Sequence, residues 1–159
     1  MILLSDANIL IDLAYVNGLA VLTQLANVEV LDVVFDECQY PEGIQTNILA
    51  VGIKQVTTQS AWLQLSQSYR QGPLSQQDAL CCYYAKTFDR MLLTNEKPLR
   101  TRCQREGIPY HGILWVIREA HSKQLASNPT LCEWLHILQT QGSRMPKQEL
   151  LDLRTILGC

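Results

Sequence analysis

Ile2-Leu3-Leu4-Ser5-Asp6-Ala7-Asn8-Ile9-Leu10-Ile11-Asp12-Leu13 opens the chain with two hydrophobic patterns back to back. Ile2–Ser5 is a short continuous apolar run closed by polar residues, the pattern of a buried strand. From Asn8 to Tyr15 the apolar residues recur at helical spacing until Gly18 interrupts them. Asp6 therefore stands where a strand hands over to a helix. Outward from it the same alternation repeats. Leu19–Leu25 reads as a second helical piece, and the β-branched stretch Val28–Val34 as strand two. Pro41-Glu42-Gly43 marks a turn. Ile44 to Gly52 fits neither period, and Ile53–Thr57 alternates like a third strand. Trp62–Tyr69 is helical in spacing and ends at Gln71-Gly72-Pro73. Ser75 is a good N-cap, with Asp78 in the capping-box position three residues on. Met91–Thr94 is strand four, Lys97–Glu106 a basic amphipathic helix ending at Gly107, Ile108–Tyr110 strand five, and Ile113–Ala120 the start of another helix.

Strands alternating with helices predict an α/β domain with a mainly parallel sheet, whose strand order the sequence does not fix. After His121 the pattern changes. Pro129–Leu138 puts Leu131, Trp134, Leu135 and Leu138 on one face, and Met145–Leu157 forms a last helix begun near Pro146. The expected organisation is a domain over residues 1–123 with a C-terminal helical extension, 124–159, packed on it.

With 47% hydrophobic and 18% charged residues, the composition is that of an ordinary globular protein. No apolar run is long enough to cross a bilayer, and the first one lacks a basic n-region and is broken by Asp6 and Asp12. A cytoplasmic protein with no membrane contact is expected. Six cysteines without a C-x-x-C pair give little support to a zinc site. Adjacent Cys81 and Cys82 lie in an apolar helical run and read as core residues of a protein in a reducing compartment.

Four acids sit where a parallel sheet would gather them: Asp6 after strand one, Glu37 after Val33-Val34-Phe35-Asp36, Asp78 at a helix start, and Glu96 after Met91-Leu92-Leu93-Thr94-Asn95. Ligands of open α/β sheets bind outside the carboxyl ends of the strands. Carboxylates collected there repel one another, and a hard, oxygen-seeking cation such as Mg²⁺ or Mn²⁺ offsets that repulsion. Each acid also has a plainer reading. Asp6 can cap the following helix, Asp78 and Glu96 can favour helix macrodipoles, and Asp36 rivals Glu37 for the sheet's end. Net charge is only −2, but no Lys or Arg precedes Lys54, and eight basic residues fall between Lys86 and Lys123. An acidic pocket beside a basic rim suits a polyanion, although such residues also serve simply as solvated helix faces.

These pieces together resemble the PIN domain, the metal-dependent nuclease fold of VapC-like toxins. Leu4-Ser5-Asp6-Ala7-Asn8-Ile9-Leu10-Ile11-Asp12-Leu13 resembles its first strand, Asp-x-Asn and helix start. Val33-Val34-Phe35-Asp36-Glu37 resembles the second strand and acid, and Leu74-Ser75-Gln76-Gln77-Asp78-Ala79 the third. Leu92-Leu93-Thr94-Asn95-Glu96-Lys97-Pro98-Leu99-Arg100 resembles the segment with the fourth, and Gly107-Ile108-Pro109-Tyr110-His111-Gly112-Ile113-Leu114-Trp115 follows a subgroup. The similarity spans roughly residues 1–120. Two departures are expected to alter the last acidic loop: Glu96 stands where Asp is usual, and Asn95 where Gly is frequent.

The resemblance implies a three-layer α/β/α sandwich, Mg²⁺ or Mn²⁺ at the acids, and hydrolysis of RNA phosphodiester bonds. It also implies a toxin role with an antitoxin protein as partner, and a homodimer. Carried onto this chain, Asp6, Glu37, Asp78 and Glu96 are the catalytic acids, with Asp6, Asp78 and Glu96 as metal ligands. Asp6 and Asp78 hold the metal that polarises the phosphate and acidifies water; Glu37 and Glu96 hold a second metal or orient that water. Asn8 and Thr94 support the acids through hydrogen bonds. Lys97 and Arg100 contact RNA. Asp12 is expected to face a partner or solvent, and none of His111, His121 and His136 to be catalytic. The alternatives are a catalytically degenerate PIN-like module that binds RNA or protein, and a phosphotransfer domain, which Asp6-Ala7-Asn8 fits less well because a second Asp is missing.

Overall fold

Leu3, Leu4 and Ser5 have no exposed surface, and the reason is their place in the sheet. In the computed structural model, which describes all residues from Met1 to Cys159, strand β1 (Ile2–Ser5) is central. Around it lie β2 (Asn27–Leu31), β3 (Lys54–Val56), β4 (Met91–Leu93) and β5 (Tyr110–His111), in the order β3-β2-β1-β4-β5. Every pairing is parallel, and the registers Leu3 with Val28 and Leu4 with Leu92 fix β1 between its neighbours. A strand covered on both faces needs a continuous apolar run rather than an alternating one, as Ile2-Leu3-Leu4 supplies.

The helices form two layers. α1 (Ala7–Tyr15), α2 (Leu19–Leu25), α4 (Ile44–Ala50) and α8 (Ile113–Ser122) contact one another, and α9 (Asn128–Thr140) and α10 (Lys147–Leu157) join that group through α8. α5 (Ser60–Leu65), α6 (Gln76–Phe88) and α7 (Lys97–Glu106) form the other, with a 3-10 turn over Gln67–Tyr69 after α5. Right-handed crossovers require this division, because the chain leaves β1 in one direction and returns past it to β4 and β5 in the other. The α/β/α sandwich is therefore present. The buried Glu29 on β2 accepts from the Tyr84 hydroxyl at 2.9 Å, which pins α6 to the sheet, and from Arg90 in the segment before β4 at 2.7 Å.

Two local readings change. Strand two ends at Leu31, and Asp32–Phe35 is a helical turn, α3. The Asp32 carboxylate accepts from the Val33 amide at 2.8 Å and from the Thr58 hydroxyl, so a local side-chain bond overrides the β propensity of Val33 and Val34. Ile44–Ala50, ambiguous by period, is helical behind a left-handed Gly43. Among the cysteines, Cys38, Cys81, Cys82 and Cys103 are buried thiols, whereas Cys132 and Cys159 form a disulfide that the reducing-compartment reading did not anticipate.

Leu131, Trp134, Leu135 and Leu138 of α9, with Leu150, Leu153 and Leu157 of α10, belong to the same hydrophobic core as the sheet. Trp134 lies against Gly18, where an added Cβ would stand 2.8 Å from the indole. Trp134 is itself buried and cannot swing away. Gly18→Ala is expected to cost about 1–3 kcal/mol in urea unfolding. Most of that cost should vanish in a Trp134→Leu background, where only the poorer N-cap of α2 remains. An equal cost in both backgrounds would show that the α9 contact does not constrain Gly18.

Candidate active site

Strand order reverses beside β1, since β2 lies on one side and β4 on the other. This is the switch point at which an open α/β sheet leaves a crevice. Asp6 sits at its mouth as N-cap of α1, with its carboxylate accepting from the Ile9 amide at 3.0 Å and its own amide donating to the Leu93 carbonyl at 3.0 Å. Thr94, fully buried at the end of β4, stands beside the Asp6 carboxyl and opposes its rise, and its hydroxyl accepts from the Glu96 amide at 3.0 Å. One threonine thus links two of the expected acids.

Asp78 is the third residue of α6 and completes a capping box: Ser75 Oγ accepts from its amide, and its carboxylate accepts from the Ser75 amide, both at 3.1 Å. Glu96 takes the N-cap position of α7 without making a cap bond. Its carboxylate accepts from Asn8 Nδ2 at 2.8 Å and pairs with Arg144 at 3.4 Å. Asp6, Asp78 and Glu96 therefore all stand at helix N-termini, whose partial positive charge favours carboxylates. The capping readings of Asp6 and Asp78 hold alongside any further role.

The charges of these groups act on one another. Burial, with Asp6 only 7% exposed, pushes its carboxyl up to about 7; the Thr94 and Ile9 hydrogen bonds oppose the rise, and the charges of Glu96 and Asp78 add to it. Glu37, beyond α3, is raised first by partial burial and then by Asp78. Cys38 is raised to about 12 by burial, by Glu37 and by Asp6. The buried Cys81 thiol, pushed up mainly by burial, also feels Asp6, Asp78 and Glu37. Asp6 thus feels the charges of Glu96 and Asp78, and Glu37 that of Asp78.

Asp6, Glu37 and Asp78 form no ion pair. No three His, Cys, Asp or Glu side chains converge closely enough to hold an ion among themselves. A divalent cation here would therefore be held by at most two of these carboxylates, with water completing its shell, as Mg²⁺ tolerates.

Asn95, in the place of a frequent Gly, has no positive φ; the non-glycine residues that do are Asn17, Asp89 and Gln124. Glycine is not needed there. Asn95 Oδ1 instead accepts from the Ile113 amide at 3.0 Å and packs where a Cβ on Gly112 would fall, tying the acidic loop to α8. Lys97 is exposed, and Arg100 lies over the Tyr110 ring at 5.2 Å.

Two features escaped the sequence. Asp12 is half-buried and accepts from Ser143 Oγ at 2.9 Å, so it faces the C-terminal segment and not solvent. Arg144 reaches Glu96 from the loop between α9 and α10, and both line one cavity with Asn8 and Asp12. Forty-eight residues separate Arg144 from Glu96, and no short-range pattern signals the contact.

The PIN-domain family model DUF3368 matches residues 2–157, and the chain belongs to that family. No curated protein is significantly similar in sequence. The fold is similar to that of PAE2754 from Pyrobaculum aerophilum, with TM-score 0.57 and 16% identity over 76% of this chain and 99% of that one. It is also similar to SSO1118, a PilT N-terminus domain protein from Sulfolobus solfataricus P2, with TM-score 0.54 and 13% identity over 76% and 93%. PIN domains are in general nucleases, which supports a nuclease reading of the chain in this coarse form. No helix is long and apolar enough to cross a membrane.

The Asp6 field has a pH signature. Its folded pKa of about 7 lies above its ordinary 3.8, so its contribution to stability is fully present below 3.8 and is lost as pH rises through 7. Asp6→Asn keeps a cap acceptor and removes the charge. Without divalent cations it is expected to raise the thermal midpoint by several degrees at pH 8, on the order of 4 kcal/mol at most, and by little at pH 4. An equal effect at both pH values would refute the buried-charge account.

Proposed function

We propose that the chain is a divalent-metal-dependent endoribonuclease whose acids are Asp6, Glu37, Asp78 and Glu96. The observation that carries this reading is Asp6: a carboxylate at the switch point, raised chiefly by its burial and further by Glu96 and Asp78, and paired with no cation of its own chain. Mg²⁺ or Mn²⁺ held by Asp6 and Asp78, with Glu96 beside them, would supply positive charge at the scissile phosphate and acidify nearby water. Thr94 fixes the Asp6 carboxylate, and Asn8 orients Glu96. Glu37, exposed and with a raised pKa, suits acceptance of the proton from the attacking water. The water oxygen bonds to phosphorus, the phosphorus–oxygen bond to the leaving ribose breaks, and that oxygen takes up a proton. Lys97 and Arg100 neutralise backbone phosphates.

Labelled single-stranded RNA in Mn²⁺ should be cut by the wild type, not by Asp78→Asn purified identically, and not in EDTA. Asp78→Asn is expected to lower the rate by at least about a hundredfold, and equal cleavage by both proteins would defeat the proposal. Mn²⁺ should also raise the thermal midpoint of the wild type at pH 8 but not that of Asp6→Asn, a readout independent of turnover. The same activity would serve as the toxin of a type II toxin–antitoxin pair, acting as a homodimer in the cytoplasm and neutralised by an antitoxin protein. Growth arrest on expression, relieved by Asp78→Asn, checks that role.

A second reading, a degenerate module that binds RNA or protein, is favoured by the Arg144–Glu96 pair and by the absence of three converging donors. It expects binding without turnover at any Mn²⁺ concentration.

A further inference from the structure

Two cavities meet at Arg144. The first, already described, holds Asp12 and Glu96. The second, about 630 Å³, opens between α7 and the loop joining α9 to α10, and Asn95, Ser143 and Arg144 line both. Its character is opposite. Lys97, Arg100 and Arg144 line it together with Thr101, Gln104 and Tyr110, and no Asp or Glu does. Lys97 and Arg100 form no ion pair, while Arg144 is 72% exposed and reaches only Glu96, at 3.4 Å. The wall that carries Arg144 is held by Ser143, whose hydroxyl donates to Asp12 at 2.9 Å and whose amide donates to the Leu138 carbonyl at 3.0 Å.

We propose that this second cavity is a binding subsite for single-stranded nucleic acid, in which Arg144 holds the backbone phosphate next to the one at the acids. Three cations without a carboxylate partner in the cavity select a polyanion. The stacked Arg100–Tyr110 pair, 5.2 Å from guanidinium to ring centroid, offers a planar face for a base, and Thr101 and Gln104 supply neutral hydrogen-bonding groups. An acidic peptide would use the cations but not the stacking face. The volume suits a nucleotide-sized group. Arg144 turns from Glu96 to phosphate at little cost, because an exposed ion pair contributes little stability. The C-terminal helices, outside the acidic motifs, thereby supply one side of the substrate path.

This subsite rests on the nuclease reading, and its test separates the two. Fluorescence anisotropy of a short labelled single-stranded RNA is measured against salt, in EDTA, with the full chain carrying Asp78→Asn. Adding Arg144→Ala is expected to weaken binding roughly tenfold and to reduce the magnitude of the log–log salt slope by about 0.7, one phosphate contact on a single strand. Arg118→Ala, the same charge change on α8 away from both cavities, should leave affinity and slope unchanged. No binding by the parent, binding indifferent to Arg144→Ala, or an equal loss in Arg118→Ala overturns the proposal. Polyglutamate bound as tightly, with the same dependence on Arg144, would assign the cavity to acidic protein and also overturn it. Binding that depends on Arg144 in a chain that never cleaves RNA would sink the nuclease reading and keep the subsite; cleavage with Arg144-independent binding would sink the subsite alone.

Discussion

A buried carboxylate at the end of the central strand constrains everything around it. Asp6 is 7% exposed and lies in the fields of Asp78 and Glu96, a position that an uncharged residue would fill more stably. The fold tolerates it through groups it already has: the Ile9 amide, the Thr94 hydroxyl, and the N-terminus of α1, which Asp6 caps. These donors lower the cost without neutralising the charge. The sheet order follows the same need, because only a central strand flanked by β2 and β4 opens the switch-point crevice beside its own carboxyl end. Register then matters at single-residue level: Ser5 pairs with Leu93, which sets Asp6 beside Thr94. Slipping β4 by one residue would turn Thr94 to the other face.

How far the site could be read from the chain depended on the range of the interaction. Asp6, Asp78 and Glu96 were legible because each is bound to a local signal: a strand end, a capping box and a basic helix start. The Ser75–Asp78 box formed as its spacing expected. Lys97–Glu106 was legible to the residue because Gly107 adopts a left-handed cap. The β propensity of Val33 and Val34 gives way because the Asp32 carboxylate accepts locally from the Val33 amide and its carbonyl from the Asp36 amide, which closes a helical turn there. Glu37 feels the charge of Asp78, a contact that the sequence pattern of Asp36-Glu37 does not signal. Asn95 seemed to disturb its loop, but without a positive φ to satisfy, its side chain became an acceptor for α8. Asp12 and Arg144 were out of reach for a single reason: their partners lie 131 and 48 residues away.

The placement of the cations is the last piece that composition left open. Eight basic residues between Lys86 and Lys123 could all have been solvated helix faces. The structure divides them. Lys86 pairs with Glu106 at 2.9 Å, Arg102 with Glu106 at 3.1 Å, and Arg90 with the buried Glu29 at 2.7 Å. The first joins α6 to α7, the second lies within α7, and the third ties the segment before β4 to β2. Lys97 and Arg100 have no carboxylate partner and sit on the first turn of the helix that Glu96 begins. A residue whose charge is satisfied inside the fold must break that bond to meet a ligand, whereas one without a partner loses only water. Arg105, Arg118 and Lys123 form no ion pair either, so of the free cations Lys97 and Arg100 are the ones on the helix turn next to Glu96. Under the proposed function, a polyanion drawn to Lys97 and Arg100 would be delivered to the carboxylates that would otherwise repel it, and neither charged surface would serve that purpose alone.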